Sequence, residues 1–127
     1  MIEVTDKKIA IEEVLDSVQD LGAGGQVHFI GSIREENHIA GIEYQSYLSL
    51  AQKQMEEVVR QAHQQWPLKK ISVVHRVGWV PLGEAAVVIA VSSAHRKEAF
   101  RACEFIIDRI KEIVPIWKEG GEACCPH

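Results

Sequence analysis

The sequence predicts an α+β fold, in which helices pack on a mostly antiparallel sheet. Segments with the spacing of amphipathic helices alternate with short segments rich in β-branched residues, in the order β-α-β-β-α-β-β-α. Most connections have the length of hairpins, which join antiparallel strands. A chain of 127 residues has the size of one domain, 1–127, and can bury a hydrophobic core without disulfides or metal ions to stabilise it.

The first half of the chain contains a strand, a helix and a predicted hairpin. IEV at the start is a short strand, and residues 9–19 carry apolar residues at a helical spacing. The glycines of LGAGG, residues 21–25, end that helix, because glycine tolerates the left-handed cap conformation. QVHFIGSI, residues 26–33, alternates like a strand, and GIEYQSYL, residues 41–48, is expected to return beside it.

The second half begins with a helix over residues 49–65, which Pro67 ends. Its apolar side is expected to comprise Leu50, Met55, Val58, Val59 and Ala62. Residues 71–78 and 85–93 are strands rich in β-branched residues, with WVPLGE as the turn between them.

A last helix is predicted from about residue 94 to residue 114, closed by Pro115. Its inward stripe is Ala99, Cys103, Ile106, Ile107 and Ile110. We expect the helices to cover one face of the sheet. Exposed sheet edges would make a dimer plausible.

Composition narrows the class of protein. The net charge of −4 argues against a general nucleic-acid binder, and no apolar run approaches the roughly 20 residues that span a bilayer. The N-terminus shows no secretory signal, and three cysteines are too few for a disulfide framework. These features predict a cytoplasmic protein.

Basic residues cluster near the ends of the predicted elements, which favours a small anionic ligand. VSSAHRKEAF, residues 91–100, runs from a strand into a helix, where Ser92 or Ser93 would cap the first turn. His95 and Arg96 would then lie where backbone N–H groups bind anions. The simpler alternative is a capped helix with a solvated first turn.

Three further basic residues have the same two interpretations, a role in binding an anion or an ordinary solvated surface charge. Arg34 lies where a strand leaves the sheet. Lys111 is expected on the flank of the last helix, half-buried, and Lys118 lies beyond Pro115, where Trp117 could pin the segment by burial. From position alone, a solvated surface role remains the more common explanation for each.

The adjacent basic pair His75 and Arg76 lies within a strand, so its side chains point to opposite faces. At least one is expected to face inward or toward a partner. The tail GGEACCPH offers Cys124, Cys125 and His127 as metal ligands, but it lacks the usual zinc spacing. A terminal tail without a metal is the favoured interpretation.

Four segments in this order resemble the large, catalytic subunit of molybdopterin synthase, and the resemblance covers nearly the whole chain. They are FIGSIR (29–34), the WPL and ISVVHRVG segment (66–78), VSSAHRKEAF (91–100) and IKEIVPIWKE (110–119). The resemblance implies an α/β-hammerhead fold. It also implies an enzyme that converts cyclic pyranopterin monophosphate, precursor Z, into molybdopterin by installing two dithiolene sulfurs.

The resemblance also implies partners. A ubiquitin-like small subunit would deliver sulfur on a C-terminal Gly-Gly thiocarboxylate. Two large subunits would form a homodimer at the core of a heterotetramer. No metal and no cofactor would take part in the step.

The implied catalytic residues are Lys111 and Lys118, one beside the terminal carbonyl of the partner's tail and one near the pterin. His95 and Arg96 would be contributed across the dimer. The implied substrate-binding residues are Ser32, Ile33, Arg34, His95, Arg96, Lys111, Lys118, Glu119 and Gly120. Many relatives continue with a longer polar tail, whereas this sequence ends at GGEACCPH.

Two alternatives from other classes remain. A non-catalytic dimeric module could use the same basic residues to sense a phosphorylated metabolite. A metal-handling protein could use the CCPH tail. The enzyme requires both lysines for turnover, the sensor requires the basic residues only for binding, and the metal carrier requires neither lysine.

Overall fold

Seven strands and three helices form the described part of the chain, residues 1–119 of a computed structural model. The first elements are β1 (Ile2–Thr5), α1 (Ile11–Asp16), β2 (Gly25–Ser32), β3 (Gly41–Ser46) and α2 (Leu48–Gln65). The remaining elements are β4 (Lys70–Arg76), β5 (Gly78–Pro81), β6 (Ala85–Ser93), α3 (Arg96–Ile113) and β7 (Ile116–Lys118). The predicted α+β class is confirmed.

The strands form two sheets rather than one. The larger sheet has the order β1-β4-β6-β2, with β1 parallel to β4 and the other pairs antiparallel. The smaller sheet has the order β5-β3-β7 and is antiparallel throughout. The sheets are therefore mostly antiparallel, as predicted.

The predicted hairpin between β2 and β3 is wrong, because the two strands belong to different sheets. Strand β2 pairs instead with β6, every residue of which is buried. In this register Val27 lies beside Val91 and Phe29 beside Ile89, so β2 extends the apolar face of the central strand. Burial of that face outweighs the short connection that suggested a hairpin.

Two short strands were missed by the sequence analysis. The predicted turn WVPLGE contains β5, which lies antiparallel to β3, and only its end is a turn, with Gly83 at φ +84°. Strand β7 follows Pro115 and pairs with the other edge of β3. Strands of four and three residues are too short for an alternating pattern to indicate them.

Helices cover both faces of the larger sheet, so the prediction of one covered face is wrong. Val14 and Val18, in and just beyond α1, pack with Val74, Val88 and Ala90 on one face. The alternate residues of the same strands point to the other face, where they meet α2 and α3. The chief residues of that second cluster are Val73, Ile89, Val91, Met55, Val58, Ala62, Ile106 and Ile110.

The two long helices match their predicted spans closely. Helix α2 buries Ala51, Met55, Val58 and Ala62, whereas Leu50 is 48% exposed, against the prediction. The spacing of four, three and four residues defines the inward stripe, and position 50 falls about 100° from Ala51. In α3 the predicted stripe is confirmed, with Ile107 only partly buried.

The prediction that one side chain of the pair at 75 and 76 faces inward is confirmed. His75 is fully buried, and its Nδ1 lies 2.8 Å from the Arg76 carbonyl oxygen. Its ring meets Tyr44 edge to face, with centroids 5.5 Å apart. Because His75 belongs to β4 and Tyr44 to β3, this contact joins the two sheets.

None of the helices within residues 1–119 is long and apolar enough to cross a membrane.

Candidate functional site

A cavity of about 530 Å³ lies between the end of β2 and the smaller sheet. It collects residues from four parts of the chain: the end of β2 with the segment after it, strand β3, strand β5, and the end of β7. The lining residues are Ser32, Ile33, Arg34, Glu36, Asn37, Ile39, Gly41, Ile42, Glu43, Trp79, Lys118 and Glu119. Five of the implied site residues, Ser32, Ile33, Arg34, Lys118 and Glu119, therefore share one cavity.

Arg34 is presented by a short backbone ladder. The Ile33 N–H donates to the Glu84 carbonyl at 3.0 Å, and the Gly83 N–H donates to the Ile33 carbonyl at 2.8 Å. Ile33 is 3% exposed, so it anchors the segment while Arg34 projects into solvent at the cavity. The Arg34 Nε lies 3.5 Å from a Glu36 carboxylate oxygen, an exposed ion pair.

Behind this ladder an ion pair fixes the turn that holds it. The Arg76 guanidinium donates to the Glu84 carboxylate at 2.6 Å, and the Arg76 side chain is only 11% exposed. The backbone of Glu84 accepts from Ile33 while its side chain accepts from Arg76. Strand β4 thereby supports the cavity wall that carries Arg34.

Lys118 reaches the cavity from β7. It lies beside Tyr44 in the register between β7 and β3, and the following Glu119 N–H donates to the Glu43 carbonyl at 2.8 Å. Lys118 is partly buried. The preceding Trp117 is also partly buried, as predicted, and its ring centroid lies 5.0 Å from that of Tyr47.

Lys111 does not line this cavity. It lies in the last turn of α3 and is exposed, so the prediction of a half-buried lysine is wrong. Ile110 occupies the inward direction, and the next residue of a helix is rotated about 100° away from it. Gly120, the last implied site residue, lies outside the described residues.

His95 and Arg96 line a second, smaller cavity of about 280 Å³, together with Gly24, Ala94 and Lys97. The predicted serine cap is wrong. His95 is the N-cap and makes no capping hydrogen bond with its side chain. Ser93 instead donates to the His95 carbonyl, and Ser92 accepts from the Lys70 N–H, so both hydroxyls are used within the sheet end.

The two cavities lie at opposite ends of β2. Gly24 precedes the strand and Arg34 follows it, while the strand itself spans Gly25–Ser32. Seven residue steps of about 3.3 Å separate its ends by roughly 23 Å. Within one chain, Arg34 and the pair His95 and Arg96 cannot contact one small ligand together.

Three cavity residues were not predicted from the sequence: Ile42, Glu43 and Trp79. Glu43 lies directly opposite Trp79 in the register of β3 and β5, and Trp79 is 49% exposed. Trp79 lies in a segment that was predicted to be a turn, and a single exposed apolar side chain is common on protein surfaces, so nothing in the sequence marked it as a cavity residue.

The described residues also limit the metal hypothesis. Between residues 1 and 119, no group of three or more His, Cys, Asp or Glu side chains is placed to hold a metal ion. The proposed ligands Cys124, Cys125 and His127 lie outside the described residues. Cys103, the cysteine within the described part, is buried, and burial raises the pKa of its thiol to about 11.

Comparison with known proteins connects these features to a family. The family model described as "MoaE protein" matches residues 4–113. A molybdopterin synthase catalytic subunit from Bacillus subtilis is 39% identical over 127 residues, covering 94% of this chain and 81% of the relative.

Solved structures agree with the fold. The crystal structure of molybdopterin synthase from Staphylococcus aureus has a TM-score of 0.86 and 38% identity, covering 92% of this chain and 88% of the other. A complex of subunits 1 and 2 of the Helicobacter pylori molybdopterin-converting factor has a TM-score of 0.79 at 21% identity, covering 98% and 88%, which supports the fold alone. The resemblance inferred from four sequence segments is confirmed: the chain belongs to the MoaE protein family.

Proposed function

We propose that the 530 Å³ cavity binds cyclic pyranopterin monophosphate and that Lys118 and Lys111 act on the sulfur-transfer step there. Membership in the family establishes the enzyme class and the reaction, which is sulfur transfer in molybdopterin biosynthesis. The observation that supports the residue assignment most directly is that Arg34 and Lys118 line the same cavity, although Arg34 follows β2 of the larger sheet and Lys118 ends β7 of the smaller sheet.

The cavity suits an anionic heterocycle. Arg34 offers a forked guanidinium that matches phosphate oxygens, and Lys118 adds an ammonium group. Ile39, Ile42 and Trp79 supply apolar wall against which a bicyclic ring can lie. Ser32 and the buried Ile33 complete the wall next to Arg34.

The sulfur donor we propose is a ubiquitin-like small subunit with a C-terminal Gly-Gly thiocarboxylate. In each transfer the sulfur forms a bond to a pterin carbon, and a C–O bond of that carbon breaks, its oxygen leaving as water or remaining on the phosphate. The bond between the sulfur and the acyl carbon of the tail breaks, and that acyl carbon takes oxygen from water to become a carboxylate. An oxyanion develops at the acyl carbon, and an ammonium group beside it lowers the barrier. We assign Lys111 to that carbonyl and Lys118 to the pterin, where it moves protons.

Lys111 lies outside the cavity lining of the single chain, in the last turn of α3. We place the partner's tail between this turn and the cavity, so that the tail rather than the pterin meets Lys111. In the H. pylori molybdopterin-converting factor, which has the same fold, subunits 1 and 2 form a complex, and we propose a small-subunit partner for this chain by analogy. Glu119 and Gly120 would flank the same entrance.

We further propose a homodimer core within a heterotetramer, located in the cytoplasm, with His95 and Arg96 of one chain serving the cavity of the other. The separation of the two cavities by the length of β2 supports this sharing. The five implied residues near Arg34 and the two near the start of α3 then form one composite site.

A single-turnover assay tests the proposal. The purified protein is mixed with the thiocarboxylated small subunit and cyclic pyranopterin monophosphate, and mass spectrometry follows the addition of two sulfurs. We expect Lys118→Ala and Lys111→Ala each to lower the rate at least about 100-fold, as for removal of an oxyanion-stabilising group. Lys53→Ala, an exposed lysine on α2, is the matched control and should retain full activity.

The same assay separates the enzyme from a sensor. Pterin binding by the wild type without any gain of sulfur would overturn the proposal and favour the sensor. Full activity of both lysine variants would overturn the residue assignment while leaving the family's reaction in place.

A further inference from the structure

Glu98 has a buried carboxylate oxygen that no group in the described part of the chain satisfies. The residue lies in the first turn of α3 and is half-buried as a whole. Its Oε2 atom, however, is buried and has no hydrogen-bond partner among residues 1–119. A buried carboxylate oxygen without a partner is costly, and native structures contain few of them. Such an oxygen points to a basic group that reaches it when the protein is at work.

Glu98 lines a small cavity of about 120 Å³ at the start of α3. The lining residues are Pro67, Leu68, Lys69, Ala94, His95 and Glu98. Two of them are basic. The Lys69 Nζ lies beside Gly22, 3.3 Å from the position that a Cβ would occupy there, so this ammonium group is directed toward the loop before β2. His95 is the other basic residue of the lining.

His95 lines two cavities at once. One is the 120 Å³ cavity with Glu98, and the other is the 280 Å³ cavity that also contains Arg96 and Lys97. The His95 backbone is extended, and its carbonyl accepts a hydrogen bond from the Ser93 hydroxyl. Its side chain is exposed and makes no capping hydrogen bond. The imidazole can therefore present one ring nitrogen to each cavity.

The spacing of the two residues suits a direct contact. His95 is the N-cap of α3 and Glu98 is the third helical residue, a position from which a glutamate side chain reaches back toward the N-cap. Pro67 and Leu68 add apolar wall, and a hydrogen bond between a carboxylate and an imidazole is stronger in such surroundings than in water. A carboxylate that holds one ring nitrogen fixes the orientation of the imidazole and leaves the other nitrogen for a ligand.

We propose that Glu98 is a positioning residue for His95. Its carboxylate accepts a hydrogen bond from one imidazole nitrogen across the 120 Å³ cavity, and the other nitrogen faces an anionic group of the substrate beside Arg96. Both ring nitrogens donate in this arrangement, which gives the imidazole the positive charge that an anion binds. This role rests on the proposed function, because that function assigns a substrate to His95.

The first test uses the sign of the change in affinity. Glu98→Gln removes a negative charge close to a site for an anion, so electrostatics alone predicts tighter binding. A positioning role predicts the reverse. We expect the Kd for cyclic pyranopterin monophosphate, measured by titration calorimetry under argon, to rise about tenfold or more, as for other partners that orient a histidine. Glu98→Asp keeps a carboxylate and should recover part of the loss. Glu104→Gln, at an exposed carboxylate on the same helix, is the matched control and should leave the Kd almost unchanged.

A double-mutant cycle shows whether Glu98 acts through His95. If it does, Glu98→Gln causes no further loss of affinity in a chain that already carries His95→Ala, and the double variant binds like His95→Ala alone. Effects of the two substitutions that simply add would overturn the inference.

A spectroscopic test needs no substrate and no turnover. Long-range ¹H–¹⁵N NMR spectra resolve the ring nitrogens of the six histidines, and His95→Ala identifies the signals of His95. We expect Glu98→Gln to shift both ring-nitrogen signals of His95, and Glu104→Gln to leave them in place. Chemical denaturation checks that each variant is folded, and Glu98→Asp serves in this comparison if Glu98→Gln does not fold.

Two further results would overturn the inference. One is binding of the pterin by Glu98→Gln at least as tight as that of the wild type, and the other is a set of His95 ring signals that do not respond to substitution of Glu98. A role of Glu98 in helix stability alone would give both results, together with a lower free energy of unfolding. A wild type that neither binds the pterin nor forms a sulfur-containing product would instead defeat the proposed function, and the NMR comparison would still decide whether Glu98 holds His95.

Discussion

Tyr47 and Trp117 hold the start of α2 to β7, with ring centroids 5.0 Å apart and planes inclined by 56°. The Tyr47 N–H also donates to the Pro115 carbonyl at 3.3 Å, so the contact involves both backbone and side chains. Lys118 follows Trp117 directly. The aromatic pair therefore sets where β7 places its lysine.

Replacing Trp117 should impair catalysis more than folding. Trp117→Leu removes the ring contact, and we expect sulfur transfer in the single-turnover assay to fall about tenfold, with a stability loss of about 1 kcal/mol. Trp117→Phe should restore most of the rate. Trp66→Leu is the control, because it loses a ring contact with Phe105 that is remote from the cavity, and it should affect stability alone. Equal effects of Trp117→Leu and Trp66→Leu on rate would contradict this role.

Gly41 should tolerate no side chain. A Cβ there would lie 2.5 Å from the Val80 carbonyl oxygen, 2.6 Å from Trp79 Cζ2 and 3.0 Å from the Pro81 Cα. Because two of these atoms belong to the backbone of β5, we expect Gly41→Ala to destabilise the protein by about 1–3 kcal/mol in chemical denaturation. Gly22→Ala is the matched control, since its nearest neighbours are the ends of Asp20 and Lys69 side chains, which can move. A neutral Gly41→Ala would show that β5 shifts freely.

The ion pair between Arg76 and Glu84 should matter for both stability and substrate binding. Glu84→Ala leaves the nearly buried guanidinium without its carboxylate, and we expect a loss of about 2 kcal/mol in the free energy of unfolding. The KM for the pterin should rise, because the ion pair fixes the turn whose backbone carbonyl at position 84 accepts from Ile33 and so positions Arg34.

The surface pair Glu57 and Arg60 provides the comparison for that experiment. Its hydrogen bonds lower the pKa of Glu57 and raise that of Arg60, but both groups lie in solvent on α2. Glu57→Ala should therefore leave both KM and stability almost unchanged. If Glu84→Ala lowered stability with no change in KM, its role would be structural only.

The buried thiol of Cys103 should make stability fall at alkaline pH. Burial raises its pKa to about 11 from an ordinary value of 9.0. Between these values the unfolded chain releases the thiol proton and the folded chain keeps it, so the stabilisation is complete below pH 9 and is lost as pH rises toward 11. The full effect is about 2–3 kcal/mol.

Denaturation of the wild type and of Cys103→Ala across pH 8–11 isolates this contribution. The difference between the two free energies of unfolding should shrink as pH rises, because alanine cannot titrate. A constant difference would show that Cys103 titrates alike in the folded and unfolded chains. Resistance of the native thiol to alkylation at pH 8 is an independent check.

The helices and long strands were predictable because their apolar periodicity is strong. In α3, Ala99, Cys103, Ile106 and Ile110 recur at helical spacing and are all buried. The pairing of strands was less predictable, since β2 pairs with the buried β6 and not with β3, its neighbour in sequence. That choice depends on burial at long range, which a local pattern does not contain.

The sequence allowed residues of the candidate site to be selected, but it did not show how they are arranged in space. Arg34 and Lys118 were selected from the sequence, and the structure places them in one cavity. The exposure of Lys111 and the use of Ser92 and Ser93 within the sheet end were not predictable, because each depends on how neighbouring elements pack around the residue.

The central position of β6 has a consequence for synthesis of the chain on the ribosome. Strand β2 emerges early, yet its partner β6 is made only after α2, β4 and β5. Strand β4 can pair with β1 as soon as it is made, but its other edge stays unpaired until β6 is made. The nascent protein therefore carries unpaired strand edges until β6 has been synthesised. The time taken to reach this segment sets how long those edges can pair with other chains.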